Sequence, residues 1–146
     1  MQDKTVHSST GKPSGFRTLV GYRAVVWRES YAEVVLDLGA QHLNSLGIMH
    51  GGVPMTILDA AMGHAATWCS VPGNVRRCVT VSLTTSFVTP ARNGVIRAIG
   101  RLIAIDNRIG TCLGEVVDDG GRLIAAGQAS FRYFSGCERV EGVARV

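Results

Sequence analysis

The stretch from residue 44 to residue 68, NSLGIMHGGVPMTILDAAMGHAATW, joins a glycine-rich turn to a long apolar segment. Within it, apolar residues recur at helical spacing from Val53 to Trp68, which predicts one long helix over residues 53–68. Pro54 fits the first turn of this helix, where a missing N–H costs nothing. Residues 71–74, with the sequence VPGN, end it because they contain both proline and glycine.

Strand patterns lie on both sides of this helix. Two precede it, over residues 17–28 and 31–38, and four follow it, over residues 78–88, 94–105, 110–117 and 122–134. Short turns separate the last three strands, so we expect them to form an antiparallel meander. Because one helix covers only one face of such a sheet, we also expect a subunit interface near the face of residues 94–105 that carries arginines and isoleucines.

Length and composition indicate a single domain. The chain has 146 residues, 15.5 kDa and 46% hydrophobic residues, and we expect a loose tail over residues 1–15 and one domain over residues 16–146. No apolar stretch approaches the roughly 20 residues that a membrane helix needs. The first 15 residues contain an acid and no apolar run, so they lack a secretory signal and predict a cytoplasmic protein. The four cysteines are scattered, which predicts reduced thiols.

Positive charge is concentrated in the middle of the chain. The net charge is +4, and no acidic residue occurs between Asp59 and Asp106. This pattern favours either a solvated arginine face or a ligand that carries phosphate. We expect no nucleic acid partner, because the chain has no long basic run, no helix-turn-helix spacing and no aromatic-rich strand motif.

The candidate site for chemistry is the junction where the glycine turn meets the helix. Gly51 and Gly52 let a ligand approach the backbone, and free N–H groups at a helix start polarise a carbonyl. Asp59, two turns further on, lies on a small apolar face where a carboxylate is costly unless it is paired, hydrated or facing a ligand. Three simpler interpretations remain open: an ordinary loop-to-helix junction, a capping role for His50, and an ion pair between Asp59 and an arginine. A metal site is not expected, since Asp59 and His64 lie on different sides of the helix.

These residues resemble a known family. Asn44, Gly47, the His50-Gly51-Gly52 triplet, Asp59 and the strand over residues 80–91 are similar to the hotdog-fold acyl-CoA thioesterases of the phenylacetic acid degradation (PaaI-like) type. The resemblance covers residues 16–134. It implies an α+β hotdog fold, in which a curved antiparallel sheet of about six strands wraps around one long helix. It also implies a homodimer with its active sites between subunits, and further association into a homotetramer.

The same resemblance implies a reaction and roles in it. Asp59 corresponds to the family's catalytic carboxylate, which acts as a general base on water or as a nucleophile through a mixed anhydride. Gly51 corresponds to the residue whose backbone N–H polarises the thioester carbonyl. Gly52, which follows it, is expected to contact the substrate. In such enzymes the carboxylate of one chain faces the glycine turn of its partner.

The resemblance also implies roles for three further side chains. Asn44 matches the polar residue that positions the water or supports the carbonyl, and His50 matches the motif histidine, whose role is more structural. Thr80 falls where relatives have a hydroxyl that holds the water. Ser82 is an alternative to Thr80, because a slip of one residue turns a side chain to the other face of a sheet.

Coenzyme A carries phosphates that need positive contacts. The candidates in the cationic stretch and beside it are Arg76, Arg77, Arg92 and Arg108. No cofactor is expected. A non-catalytic acyl-CoA binding protein and a hotdog hydratase or dehydratase remain alternative functions, and the spacing of residues does not specify the acyl group.

Overall fold

A six-stranded antiparallel sheet packs against one long helix in the computed structural model, which describes residues 13–146. The elements in chain order are α1 Gly15–Val20, β1 Arg23–Arg28, β2 Tyr31–Asp37, a 3₁₀ helix Ala40–His42, α2 Gly52–Thr67, β3 Asn74–Val75, β4 Cys78–Phe87, β5 Val95–Asp106, β6 Ile109–Val117, β7 Leu123–Tyr133 and β8 Val143–Ala144. The predicted long helix is confirmed, and so are five of the predicted strands, which are β2, β4, β5, β6 and β7. The observed ends of these elements lie within about two residues of the predicted ends.

The large sheet has the strand order β1-β2-β5-β6-β7-β4, and all its neighbouring strands are antiparallel. The expected meander of β5, β6 and β7 is therefore confirmed. The two edges of the sheet are β1 and β4. A second, two-stranded sheet pairs β3 with β8 near the carboxyl end of the chain.

The core lies between α2 and the sheet. One side of α2 is fully buried, and it contacts every strand of the large sheet. The buried residues on α2 are Pro54, Ile57, Leu58, Ala61, Met62, Ala65 and Ala66. They pack against alternate residues of the strands, which include Val34, Ile96, Ala98, Cys112 and Ala129. Burial of this face holds α2 in place and leaves its remaining side for a functional site.

The approach of α2 to β5 requires a glycine. A Cβ atom built on Gly100 would lie 2.5 Å from the carbonyl carbon and oxygen of Ala61 and 2.6 Å from the backbone nitrogen of Met62. These are backbone atoms that cannot move aside without shifting the helix. Gly100 therefore sets the close packing of the helix on the sheet.

Replacing Gly100 with alanine is expected to lower the free energy of unfolding by about 1–3 kcal/mol, because it overpacks the core. Gly15→Ala is the matched control, since no atom lies within 4 Å of a Cβ at that exposed position. Denaturant unfolding of both variants measures the difference. Equal midpoints for the two variants would contradict this account of the packing.

The prediction of a strand over residues 17–28 is wrong for the first part of that range. Residues 15–20 form the short helix α1, and β1 begins only at Arg23. Two local features explain this: the Ser14 side chain accepts a hydrogen bond from the Arg17 N–H, and Gly21 ends the helix with a φ of 87°. Residues 1–12 of the expected tail lie outside the described residues. No helix within residues 13–146 has the length and apolar content to cross a membrane.

Candidate active site

Asp59 and Thr80 are in direct contact across the gap between α2 and β4. The Thr80 hydroxyl donates a hydrogen bond of 2.7 Å to Oδ1 of Asp59. Asp59 is half-buried, Thr80 is exposed, and Asp59 forms no salt bridge with any residue in the range 13–146. The carboxylate is therefore oriented by a neutral hydroxyl, which leaves its charge available to a ligand or water.

A β-bulge decides between Thr80 and Ser82. On β4, Thr80 pairs with Phe131 and Ser82 with Ser130 of β7, so Val81 is an extra residue in the ladder. Thr80 consequently faces α2. Ser82 lies on the other face, where it borders a shallow surface groove with Thr84, Ser86, Ala126, Gly127 and Gln128.

The start of α2 leaves one backbone donor free. Nδ1 of His50 accepts the N–H of Gly52 at 3.0 Å, and the His50 carbonyl accepts the N–H of Val53 at 2.9 Å. Pro54 has no N–H to donate. Among the described residues, the N–H of Gly51 has no hydrogen-bond partner. His50 thus acts as a cap, and the free donor at this helix start belongs to Gly51.

Asn44 organises the loop that precedes this helix start. Its Oδ1 accepts the N–H groups of Leu46 at 2.9 Å and Ile48 at 3.3 Å. Because the oxygen is occupied by the turn, the group that Asn44 offers to a ligand is its NH₂, a hydrogen-bond donor. Arg92 steadies the same loop, donating to the carbonyls of Leu46 and Gly47 at 3.3 Å each.

His42, which no pattern in the sequence indicates, also positions this loop. The side chain is buried, with 4% of its surface exposed. Its Nδ1 accepts the N–H of Gly39 at 2.9 Å, so Nε2 carries the proton and donates to the Val20 carbonyl at 2.7 Å. The His42 carbonyl accepts the N–H of His50 at 2.8 Å. No motif marks this residue, because its partners come from three separate segments.

The four arginine candidates lie in different environments. Arg76 is buried, and its guanidinium donates to the carbonyls of Trp68, Cys137 and Glu138 at 2.8, 2.9 and 3.2 Å. These contacts join α2 to the carboxyl-terminal segment, so Arg76 has a structural role and is withdrawn from the candidate phosphate contacts. Arg77 and Arg92 are exposed, and Arg108 is half-buried in the turn before β6.

Two other ionisable groups, one on β4 and one on α2, are uncharged at neutral pH. Burial raises the pKa of the Cys78 thiol to about 11, and the Asp59 carboxylate adds to the rise, so this cysteine is not a thiolate nucleophile. Burial lowers the pKa of His64, whose Nδ1–H donates to the Ala60 carbonyl at 2.7 Å. The part of the chain that the structure describes contains no cluster of His, Cys, Asp or Glu residues suited to a metal ion.

A single chain does not bring the two main candidates together. Gly51 and Asp59 are eight residues apart, which is about 12 Å along a helix axis. A thioester carbonyl that bound to the Gly51 N–H would therefore lie too far from the Asp59 carboxylate of the same chain for attack.

Comparison with known proteins places the chain in a family. Residues 46–125, which include the helix start and Asp59, match the thioesterase superfamily. The chain belongs to the thioesterase superfamily and is a thioesterase by class. A predicted esterase of Archaeoglobus fulgidus is 28% identical over 108 residues, which are 73% of this chain and 67% of the relative.

Solved structures confirm the hotdog fold. A conserved protein of Pseudomonas aeruginosa is 28% identical with a TM-score of 0.74, over 84% of this chain and 95% of that one. A Bacillus halodurans protein solved with CoA is 26% identical with a TM-score of 0.73, over 84% and 78% of the two chains. The PaaI protein of the E. coli phenylacetic acid degradation operon shares the fold, with 20% identity, a TM-score of 0.74, and 90% and 88% coverage.

Proposed function

We propose that the protein hydrolyses acyl-CoA thioesters to a free acid and coenzyme A. The observation that carries this proposal is the pairing of a hydroxyl-oriented carboxylate, Asp59, with a helix start whose Gly51 N–H has no partner in the described chain. Such a donor stabilises the oxyanion that forms during attack on a carbonyl. The CoA found with the Bacillus halodurans protein supports coenzyme A as the thiol part of the substrate.

The Gly51 N–H and the Asp59 carboxylate have separate roles in the reaction. The Gly51 N–H draws electron density onto the thioester oxygen, while Asp59 removes a proton from the attacking water or attacks the carbonyl carbon itself. In both routes the new C–O bond forms first and gives an oxyanion; the C–S bond then breaks, and the thiolate of coenzyme A leaves and takes up a proton. When water is the nucleophile, this step gives the free acid directly. When Asp59 is the nucleophile, it gives a mixed anhydride, which a water molecule then cleaves to the free acid and the Asp59 carboxylate. Thr80 orients the carboxylate through its hydrogen bond of 2.7 Å.

The remaining candidates have supporting roles. The NH₂ of Asn44 is a donor for the carbonyl or the water, and His50 holds the helix start by capping Gly52. Gly52 does not offer a donor, because its N–H is already bonded to His50, and a Cβ atom at this position would lie 3.2 Å from Nδ1 of His50. Arg77, Arg92 and Arg108 supply positive charge for the phosphates of coenzyme A.

The site is shared between two copies of the chain. Because Gly51 and Asp59 of one copy are about 12 Å apart along α2, the carboxylate must act on a carbonyl that is held by the Gly51 of a second copy. A homodimer is therefore the smallest active unit in this proposal. Association of two dimers into a homotetramer would cover the outer face of the sheet, where Ile103 and Leu113 are exposed.

Release of thiol from a panel of thioesters tests the proposed reaction. The panel contains aryl-acetyl, benzoyl, and short-, medium- and long-chain acyl-CoA compounds, and the expected result is hydrolysis of at least one of them. The compound that is hydrolysed fastest also indicates the size of the acyl pocket. Binding of acyl-CoA without release of thiol from any member would contradict the proposal and favour a non-catalytic binding protein.

A further inference from the structure

One side of α2 is not covered by the sheet. This open side includes Ala60 and Gly63, which lie around the axis from the fully buried residues of the helix and are themselves half-buried. Asp59 borders it on the side of β4. His64, five residues and about 140° further around the axis, borders it on the side of β1, where its ring packs edge-on against Trp27. The open side of α2 therefore lies between the two edge strands of the sheet.

Gly63 leaves space beside Asp59 on this open side. It follows Asp59 by one turn and faces Phe131, the residue that pairs with Thr80 in the sheet. A Cβ atom at Gly63 would lie 3.7 Å from the Phe131 ring, which is an ordinary contact, so packing does not require a glycine here. Glycine inside a helix is also less favourable than alanine. Space for a ligand accounts for the missing side chain.

Arg17 has a fixed place at the β1 edge of the sheet. It is half-buried on α1, and its Nε donates a hydrogen bond of 3.3 Å to the carbonyl of Tyr22, the residue that directly precedes β1. The Tyr22 side chain packs against the core. The end of α1 is held by the bond from His42 to the Val20 carbonyl. The guanidinium of Arg17 is thereby anchored beside the body of the domain.

The charges of Arg17 and Asp59 both act on Tyr22. Burial raises the pKa of the Tyr22 hydroxyl, the Arg17 guanidinium opposes this rise, and the Asp59 carboxylate adds to it. Burial also lowers the pKa of His64, and the positive charge of Arg17 lowers it further. Because such interactions weaken with distance, the Tyr22 hydroxyl lies near both Arg17 and Asp59, and Arg17 lies near His64. A cation and a carboxylate thus border the open side of α2 from opposite edges.

The guanidinium of Arg17 has unused donors. Within residues 13–146 it forms no salt bridge, and its bond to the Tyr22 carbonyl uses only Nε. The Tyr22 hydroxyl has no hydrogen-bond partner in that range either. By contrast, Arg23 and Arg97 each pair with a carboxylate. A guanidinium with free N–H groups matches a carboxylate, which it binds through two parallel hydrogen bonds.

We propose that the acyl group of the substrate ends in a carboxylate, which Arg17 and Tyr22 bind across the open side of α2 from Asp59. The acyl chain starts at the thioester carbon beside Asp59 and crosses α2 over Ala60 and Gly63. Its far carboxylate accepts hydrogen bonds from the Arg17 guanidinium and the Tyr22 hydroxyl. An α-helix with its side chains is about 10–12 Å across, so the chain contains several methylene groups. The substrates are monothioesters of dicarboxylic acids.

An acyl carboxylate fits Arg17 better than the phosphates of coenzyme A do. The phosphates are separated from the thioester sulfur by the whole pantetheine arm, whereas the Tyr22 hydroxyl is close enough to Asp59 for the carboxylate to act on it. An anion beside Tyr22 therefore belongs to the acyl part of the substrate. The inference rests on the proposed function, because Asp59 fixes the position of the thioester.

Paired thioesters test this substrate class. Succinyl-, glutaryl- and adipyl-CoA are compared with butyryl-, pentanoyl- and hexanoyl-CoA, which have the same chain lengths and no carboxylate. A blank without protein corrects for spontaneous hydrolysis. The wild-type protein is expected to have a higher kcat/KM for at least one dicarboxylic compound than for its partner. Arg17→Gln is expected to lower that ratio by about 10–100-fold, the usual effect of hydrogen bonds to a charged group.

Arg23→Gln is the matched control. Arg23 is also an arginine at the β1 edge, but it is exposed and pairs with Asp37. Its substitution is expected to leave the ratio unchanged. Tyr22→Phe keeps the ring that packs against the core and removes the hydroxyl, so it is expected to lower the ratio less than Arg17→Gln does. An equal loss for both classes of thioester in Arg17→Gln would overturn the inference, as would a wild-type protein without preference for a dicarboxylic compound.

A substitution at Gly63 tests the path of the acyl chain. Gly63→Ala improves the helix propensity, and its methyl group leans toward the turn that carries Asp59. We expect a higher melting temperature, together with a kcat/KM for adipyl-CoA that falls by about tenfold or more relative to acetyl-CoA. An unchanged ratio would reject the path over Gly63. A lower melting temperature would show that packing requires the glycine.

The substrate class and the reaction fail separately. Hydrolysis of the monocarboxylic compounds alone rejects the binding of a carboxylate at Arg17 and leaves the reaction in place. Hydrolysis of no thioester rejects the reaction. In that case, calorimetric binding of glutaryl-CoA that is weakened by Arg17→Gln and not by Arg23→Gln would still support the carboxylate site, and equal binding by both variants would reject it.

Discussion

Replacing Asp59 with asparagine is expected to lower kcat for thioester hydrolysis by about 10²–10⁴-fold, the usual contribution of a positioned general base. The substitution keeps the shape of the side chain, and its Oδ1 still accepts the hydrogen bond that Thr80 donates. The amide neither accepts a proton from water nor forms an anhydride, so either route through Asp59 is lost. Release of thiol under steady-state conditions measures the effect, and thermal unfolding verifies that the fold is retained.

A surface carboxylate provides the control for Asp59. Asp37 is exposed and pairs with Arg23 at 2.8 Å on the edge of the sheet, away from α2. Asp37→Asn is expected to leave kcat unchanged, because a surface ion pair contributes little to stability and nothing to this site. Retention of most activity in Asp59→Asn, with a normal melting temperature, would remove Asp59 from the catalytic role.

The parts of the fold that are set by local patterns could be predicted from the sequence. The apolar period of α2 and the turns between β5, β6 and β7 are properties of short segments, and these elements were confirmed. The short helix α1 was missed because apolar residues such as Leu19 outweighed the cap at Ser14 and the stop at Gly21. The strands β3 and β8 consist of two residues each and exist only because Asn74 meets Ala144 across the chain.

In the candidate site too, the role of a single residue could not be predicted from the sequence where it depends on contacts with a distant segment. The choice of Thr80 over Ser82 depends on a bulge that is visible only when β4 is paired with β7. Arg76 was predicted to contact phosphate from its charge, whereas three carbonyls, two of them in a distant segment, enclose its guanidinium. The helix start and Asp59 could be predicted because their spacing lies within one continuous stretch.

Replacing Gly51 with proline is expected to lower kcat by about 10²–10³-fold, since it removes a single donor to the oxyanion. The φ of Gly51 is −56°, within the range that the proline ring imposes, and its N–H has no partner among residues 13–146. The substitution therefore removes the donor with little cost to the fold. Gly51→Ala keeps the N–H, and its Cβ would meet the Phe87 ring at an ordinary contact distance of 3.5 Å, so it serves as the active control.

Combining the two inactive variants tests whether the site is shared. In a dimer of one Asp59→Asn chain and one Gly51→Pro chain, one site has both groups intact and the other has neither. If chains associate at random, half of the dimers are mixed, and co-expression restores about a quarter of the wild-type activity. A site within one chain predicts no recovery, because each chain then lacks one of the two groups. Recovery of activity would thus show that the Gly51 N–H and the Asp59 carboxylate act on one thioester from opposite chains.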